Sequence, residues 1–157
     1  MKKANKKKSL AKVKKDTWDI FSIFTRMRDG LRTTGTTEWA LCITCDKRYH
    51  FKLLQAGHLV AGRGSANLFY EKGTHAQCYN CNINLKGNTL VYRRKVNELY
   101  GEGTDLEIEA NDKKIKKFTI PELLEMQEYY KAKIEEMKQL NHTPELLAKR
   151  EELKNYV

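Results

Sequence analysis

No stretch of the 157-residue chain approaches the roughly 20 consecutive apolar residues that span a bilayer. The basic N-terminus lacks the apolar segment of a secretory signal, so the expected setting is the cytoplasm, with no membrane partner. Cysteine is scarce: four residues in two pairs, Cys42-x-x-Cys45 and Cys78-x-x-Cys81, with none left over. There is no internal repeat beyond those pairs. A hydrophobic share of 40% against 32% charged leaves material for only a modest core in about one domain. Acid is also in deficit, with 20 Asp and Glu against 30 Lys and Arg, a net +10. The deficit is local. Residues 1–15 carry eight lysines and no acid, and residues 46–97 carry nine basic residues against Asp46 and Glu71. Residues 98–111 are acidic, and the last stretch is nearly balanced. Positive charge gathered on a tail and a central segment is the pattern of a polyanion binder. For the tail, a merely solvated lysine run is an equal alternative.

Each Cys-x-x-Cys puts two thiolates on a tight knuckle, and two knuckles supply the four tetrahedral sulfurs that zinc favours. In a cytoplasmic protein the thiols stay reduced, which favours zinc over two disulfides. Four protein sulfurs leave no open position for water, so zinc at Cys42, Cys45, Cys78 and Cys81 would be structural. The 32 residues between the knuckles exceed a simple ribbon. They also hold His58, after Gly57, and His75.

Residues 1–15 are expected to be a disordered basic tail, because a lysine run repels itself and buries nothing. Asp16 or Thr17 caps a helix to about Arg28, with Trp18, Ile20, Phe21, Phe24 and Met27 at helical spacings and Gly30 and Gly35 ending it. Short strands are predicted at Trp39 to Ile43 and Tyr49 to Gln55, the second continuing through Leu59 to Ala61, with a weak candidate at Leu68 to Tyr70. The second knuckle should open a helix that breaks at Gly87 and resumes to Gly101. Thr119-Ile120-Pro121-Glu122 is a capping box leading a stripe of Leu123, Met126, Tyr130, Ile134 and Met137. Thr143-Pro144 starts a second helix with Leu146, Leu147, Arg150 and Leu153. The expected organisation is a tail (1–15), a zinc-binding domain with its N-terminal helix (16–111) and a C-terminal helical appendage (112–157).

Phosphodiester hydrolysis needs a water activated by a base near neutrality and a divalent cation to offset charge. His58, at a predicted strand end, suits the base. Asn82, in the first turn after Cys81, offers an amide oxygen to a cation, and the guanidinium fork of Arg63 can take two phosphate oxygens. Each has a plainer reading: a packing or surface histidine, a helix-capping asparagine, a surface charge. The joint spacing with two cysteine pairs favours the chemical one. His50 and His142 have no such setting.

The segment Gly57-His58-Leu59-x-x-x-Arg63, then His75-x-Gln77-Cys78-x-x-Cys81-Asn82 and Gly87-Asn88, resembles the phage NinG (Rap) recombination proteins. Trp18-x-x-Phe21-Ser22-x-Phe24-x-Arg26-x-Arg28-Asp29 and Cys42-Ile43-x-Cys45 fit as well, so the resemblance spans about residues 16–100. It implies an α+β fold, a zinc-stabilised treble-clef ββα core of HNH type (His-Me finger) flanked by N- and C-terminal helices. It also implies a structure-specific endonuclease using Mg2+ or Mn2+ on branched DNA, Holliday junctions and D-loops included, in a phage-infected bacterial host. On that pattern His58 is the general base, Asn82 a ligand of the catalytic ion, and His75 a metal or phosphate contact. Two positions depart. Gly57 stands where many HNH enzymes carry an aspartate, as is usual for the NinG pattern, and Gly73 stands where the family usually has an asparagine that braces the loop of the base. Asn67 is the nearest asparagine upstream.

A two-fold junction suits a symmetric homodimer, which the C-terminal helices could provide, although such helices more often pack on their own domain. The alternatives are a non-catalytic zinc-dependent nucleic-acid-binding module and a zinc-built protein adaptor. The adaptor leaves the central positive charge unexplained.

Overall fold

The computed structural model describes residues 8–60 and 66–140, with Glu145 and Ala148. Helix α1 runs Leu10–Thr34, starting earlier and ending later than the apolar spacing predicts. Upstream, Ser9 caps it by accepting from the Lys12 N–H at 3.3 Å. Lys12 and Lys15 each meet an acid one turn on, Asp16 and Asp19, both at 2.6 Å. Val13 is buried against the C-terminal helix. Interleaved lysines with acids four residues on support a helix where a bare lysine run would not, so residues 10–15 are helix and not part of a disordered tail. Downstream, Gly30 does not stop the helix. A Cβ there would lie 2.5 Å from the Thr36 carbonyl oxygen and 2.8 Å from that of Trp39, so glycine lets the returning loop cross the helix. The stop is Gly35, left-handed at φ 72, whose N–H bonds the Leu31 carbonyl.

Strand β1 (Trp39–Leu41) pairs antiparallel with β2 (Arg48–His50), enclosing the first knuckle. The predicted strand from Tyr49 to Gln55 is broken by a 3-10 turn at Phe51–Leu53. There Arg26 of α1 donates from Nη1 to the carbonyls of Phe51 (3.0 Å) and Leu54 (3.3 Å). Strand β3 (Leu54–His58) ends at His58 and pairs antiparallel with β4 (Thr74–Cys78), Gly57 opposite His75. No alternation marks β4, because all five of its residues are buried. Leu68 and Phe69 form a buried turn, not a strand.

After a π-type turn at Asn80–Asn84, Gly87 (φ 86) breaks the chain as expected before α2 (Thr89–Tyr100). The acidic stretch then folds as α3 (Thr104–Asp112), which buries Ile108 beside Tyr92 and Val96. Helix α4 (Ile120–Leu140) begins with the capping box intact. The Glu122 N–H donates to Thr119 Oγ1 and the Thr119 N–H to Glu122 Oε2. Its stripe of Leu123, Gln127, Tyr130, Ile134 and Met137 is buried against Val13, Phe21, Phe24 and Met27 of α1. Burying one such aliphatic side chain contributes about 1.5–3 kcal/mol, so α4 shares the main apolar core with α1. The predicted helix from Thr143 lies outside the described residues except at Glu145 and Ala148. The fold is thus mixed α+β, with two small antiparallel sheets set among helices α1 to α4 in the described residues.

Candidate functional site

The two knuckles converge. The sulfurs of Cys42, Cys45, Cys78 and Cys81 all lie within 4.8 Å of one another, and Cys45 to Cys78 is 3.9 Å. Four sulfurs at about 2.3 Å from a tetrahedral zinc would be about 3.8 Å apart, so the cluster can hold that ion. The thiolates are also provided for. Cys42 Sγ faces the N–H of Cys78 (3.3 Å) and the hydroxyl of Thr44 (3.4 Å), and Cys78 Sγ faces the N–H of Cys81 (3.5 Å). Burial pushes the Cys42 thiol up, yet Thr44 and the N–H groups of Cys78, Thr44 and Cys45 outweigh it and bring it to about 7. Burial carries the Cys45 thiol the other way, to about 12.

His58 closes β3, half-buried. Its Nε2 is 3.1 Å from the Leu68 carbonyl, and its ring stacks on Trp18 of α1 at 5.0 Å between centroids and 20° between planes. A carbonyl only accepts, so in the neutral ring the proton sits on Nε2 and the lone pair on Nδ1. The turn that supplies this carbonyl is anchored one residue earlier, where Asn67, fully buried, donates from Nδ2 to the Ile108 carbonyl of α3 at 2.9 Å.

Asn82 comes to the neighbouring Gly57 from the second knuckle. Its Nδ2 donates to Gln55 Oε1 at 2.7 Å, which turns Oδ1 toward Gly57, 3.1 Å from where a Cβ on that glycine would stand. Gln77 crosses the same α-carbon, its Oε1 only 2.3 Å from that position. The amide of Gln77 donates to the Gly87 carbonyl (2.8 Å) and to Thr44 Oγ1 (3.2 Å), which fixes its orientation. Its Oε1 is buried with no hydrogen-bond partner. Two side-chain carbonyl oxygens therefore converge beside the residue before His58.

His75 is not part of this group. It is fully buried on the opposite strand, with Nδ1 3.0 Å from Asp29 Oδ2 and Nε2 3.2 Å from the Tyr100 hydroxyl. Burial pushes the imidazole down, against the pull of Asp29, so the ring is neutral near about pH 7; Nδ1 also meets Arg28 Nη2 (3.0 Å) and Nε2 the Lys72 carbonyl (3.3 Å). The expected contact of His75 with metal or phosphate is corrected on that ground: neither ring nitrogen faces solvent. Asp29, also fully buried, accepts from the Ala76 N–H (2.7 Å) and pairs with Arg28 (3.0 Å) and Arg32 (3.4 Å). Burial pushes its carboxyl up, but His75, Arg28 and Arg32 hold it well below the usual carboxylate range. Arg63 lies outside the described residues, as does His142. His50 stays local, its Nδ1 accepting from the Lys52 N–H.

Trp18, Leu68, Asn67 and Gln77 act on the site, and apart from the places of Trp18 and Gln77 in the family pattern and of Asn67 as the nearest upstream asparagine the sequence does not mark them for it. Trp18 has the spacing of a core residue, Asn67 looks like any loop asparagine, and Gln77 is marked only by its place before Cys78.

What the fold and cluster define is a small mixed α+β protein with four cysteines able to bind a metal ion at one end of the β3–β4 hairpin and a histidine at the other. The chain belongs to the phage NinG family: the model described as Bacteriophage Lambda NinG protein matches residues 1–141. Neither curated proteins nor solved structures yield a match. No helix among the described residues is long and apolar enough to cross a membrane.

Proposed function

We propose that this chain is a metal-dependent endonuclease that cuts branched recombination intermediates, Holliday junctions and D-loops, in the cytoplasm of a phage-infected bacterium. The observation that carries the reading is the convergence at the end of β3. His58 is held there with its tautomer set by Leu68, while Asn82 is brought from the zinc end to the adjacent Gly57. A knuckle hairpin, the β3–β4 hairpin, and a turn and helix after the second knuckle follow in the order of a treble-clef ββα (HNH-like) unit. We assign the core to that class, with a structural zinc ion in the cysteine cluster.

In this reading Nδ1 of His58 takes the proton of the attacking water, and Trp18 keeps the ring from turning. Asn82 Oδ1 and the partnerless Gln77 Oε1 are hard neutral oxygens, a donor set suited to Mg2+ or Mn2+. A divalent cation held there would offset charge on the phosphate and the leaving oxygen. Asn67, through its anchor on Ile108, takes the bracing role that Gly73 cannot. Arg63 and the basic residues of the central segment would hold the DNA backbone, and paired cuts across a two-fold junction would call for two copies of the chain. Gly73 is also what favours the second reading, a zinc-dependent nucleic-acid-binding module without catalysis.

One experiment separates the two. A synthetic four-way junction and a linear duplex are offered to the wild type and to His58→Ala with Mg2+ or Mn2+, and binding and zinc content are measured alongside. Junction-selective cuts, lost in the variant while binding and zinc persist, are expected. Tight binding without cuts under either metal supports the binding module instead.

A further inference from the structure

A second feature lies beside His58. Between the first turns of α1 and the turn carrying Leu68 is a cleft of about 320 Å3 lined, among the described residues, by Ala11, Lys14, Lys15, Trp18 and Leu68. Two of these walls are also the supports of His58: Trp18 stacks on its ring, and the Leu68 carbonyl bonds its Nε2. Whatever occupies the cleft is therefore one side chain away from that histidine.

We propose that this cleft receives a single unpaired nucleotide of the DNA, adjacent to the phosphate that is cut. The inference rests on the nuclease reading for what His58 does. The lining divides as a nucleotide does. Indole and leucine offer an apolar, stacking surface for a base, and the two ammonium groups offer charge to a phosphate. Lys14 lies over the Phe118 ring at 5.6 Å. Lys15 pairs with Asp19 at 2.6 Å, both side chains more than half exposed, so water screens that pair and a phosphate can displace it. Lys8, just before the helix, and Lys12 within it both reach Asp16, which leaves that acid already paired. The segment as a whole, eight lysines and no acid over residues 1–15, points to an anionic partner.

Size decides between strand states. A cleft this small admits one base, not a duplex, and a base paired and stacked inside a duplex has no face to offer it. A flap presents an unpaired nucleotide directly, and the pairs at the branch point of a junction open more readily than those inside a linear duplex. Branch preference would then come from a pocket next to the base that cuts, without any reading of sequence.

The test uses the full zinc-loaded chain carrying Trp39→Phe, so that Trp18 is the remaining tryptophan of the two. Trp39 is partly exposed and on the far hairpin. Labelled single-nucleotide flap, four-way junction and blunt duplex are titrated with Ca2+ in place of Mg2+. DNA anisotropy and Trp18 emission are recorded together. Flap and junction should quench Trp18 at saturation and blunt duplex should not. Lys14→Gln/Lys15→Gln should weaken flap binding several-fold and flatten its salt dependence by about 0.7–0.9 per lysine. Branched DNA that binds without quenching Trp18, or a lysine variant with unchanged affinity and salt slope, overturns the proposal while cleavage assays leave the nuclease reading standing. Absence of DNA binding altogether overturns both.

Discussion

Replacing Gly57 by alanine should cost about 2–4 kcal/mol of folding stability, from overpacking and lost hydrogen bonds together. The added Cβ would stand 2.3 Å from Gln77 Oε1, inside any real contact, and 3.1 Å from both Asn82 Oδ1 and Gln77 Cβ. A flexible side chain would swing away, but Gln77 is fully buried and tied by its amide to Gly87 and Thr44. Moving it forfeits two hydrogen bonds, about 1 kcal/mol each, and disturbs the hydroxyl that faces Cys42 Sγ. A double-mutant cycle isolates the clash. Gln77→Ala alone loses the same bonds and opens a cavity, but in that background Gly57→Ala has room and should add less than about 1 kcal/mol, a coupling near 2 kcal/mol. Urea unfolding of the zinc-loaded proteins, followed by far-UV circular dichroism with metal content checked, gives the numbers. A Gly57→Ala protein within about 0.5 kcal/mol of wild type, or a strictly additive double variant, would refute the geometry argued for Gln77.

Asp29→Ala should be more damaging, about 3–5 kcal/mol, because it leaves the buried partners Arg28, His75 and the Ala76 N–H without their acceptor. A loss under 1 kcal/mol by the same unfolding assay would refute this. The pH profile follows from the same pair. Asp29 is held below the ordinary carboxylate range, so its contribution is complete above about pH 4 and is lost as the pH falls further. His75 is kept neutral by burial, so stability should begin to fall already as the pH drops through about 6.5, where the unfolded chain takes a proton that the fold refuses. Denaturation midpoints from pH 8 to 5 should slope less for His75→Gln than for wild type, and equal slopes would count against a neutral buried ring. Metal analysis should find one zinc per chain, lost in Cys45→Ser. Chelation should leave most of the helical signal, since the core of α1 and α4 shares no buried residue with the cysteine cluster. Collapse of the helical signal on chelation would show that the two cores do not stand apart.

What could be read from sequence was local. Two Cys-x-x-Cys pairs, the Thr119 to Glu122 capping box and the break at Gly87 each declare themselves within four residues, and each is in place. What could not be read depends on partners far along the chain. Strand β4 has three polar residues among five, Thr74, His75 and Gln77, and is buried only because Asp29, Arg28, Tyr100 and Thr44 come from elsewhere to meet them. The placement of His75 turns on parity. Residues three apart in a strand face opposite sides, so His75 points away from the side of Cys78 that joins the cluster, however near the two are in sequence. Gly30 read as a helix stop because the crossing of the Thr36–Trp39 backbone over that helix has no local mark.

The flanking helices therefore have a mechanical part in the site. A two-stranded hairpin such as β3–β4 is marginal alone, yet a general base, the role proposed for His58, needs its position held to within about an ångström. The cysteine cluster braces one end, through Thr44 and Gln77 to Gly57. Helix α1 adds polar restraints along the hairpin: Arg26 on the carbonyls of Phe51 and Leu54 near the cysteine end, Asp29 on the Ala76 N–H in the middle, and Arg28 on the carbonyls of Glu71 and Thr74 toward the end that carries His58. Each of these ties is directional and reaches main chain, so it fixes strand position where an apolar contact would let the hairpin slide. Apolar packing holds α1 itself, through α4, and Trp18 carries that fixed frame onto the ring of His58. Why a small cysteine-braced hairpin has so much helix around it follows from this: the cysteines can fix Asn82 and Gly57, while among the described residues α1 and the turn anchored on α3 reach His58.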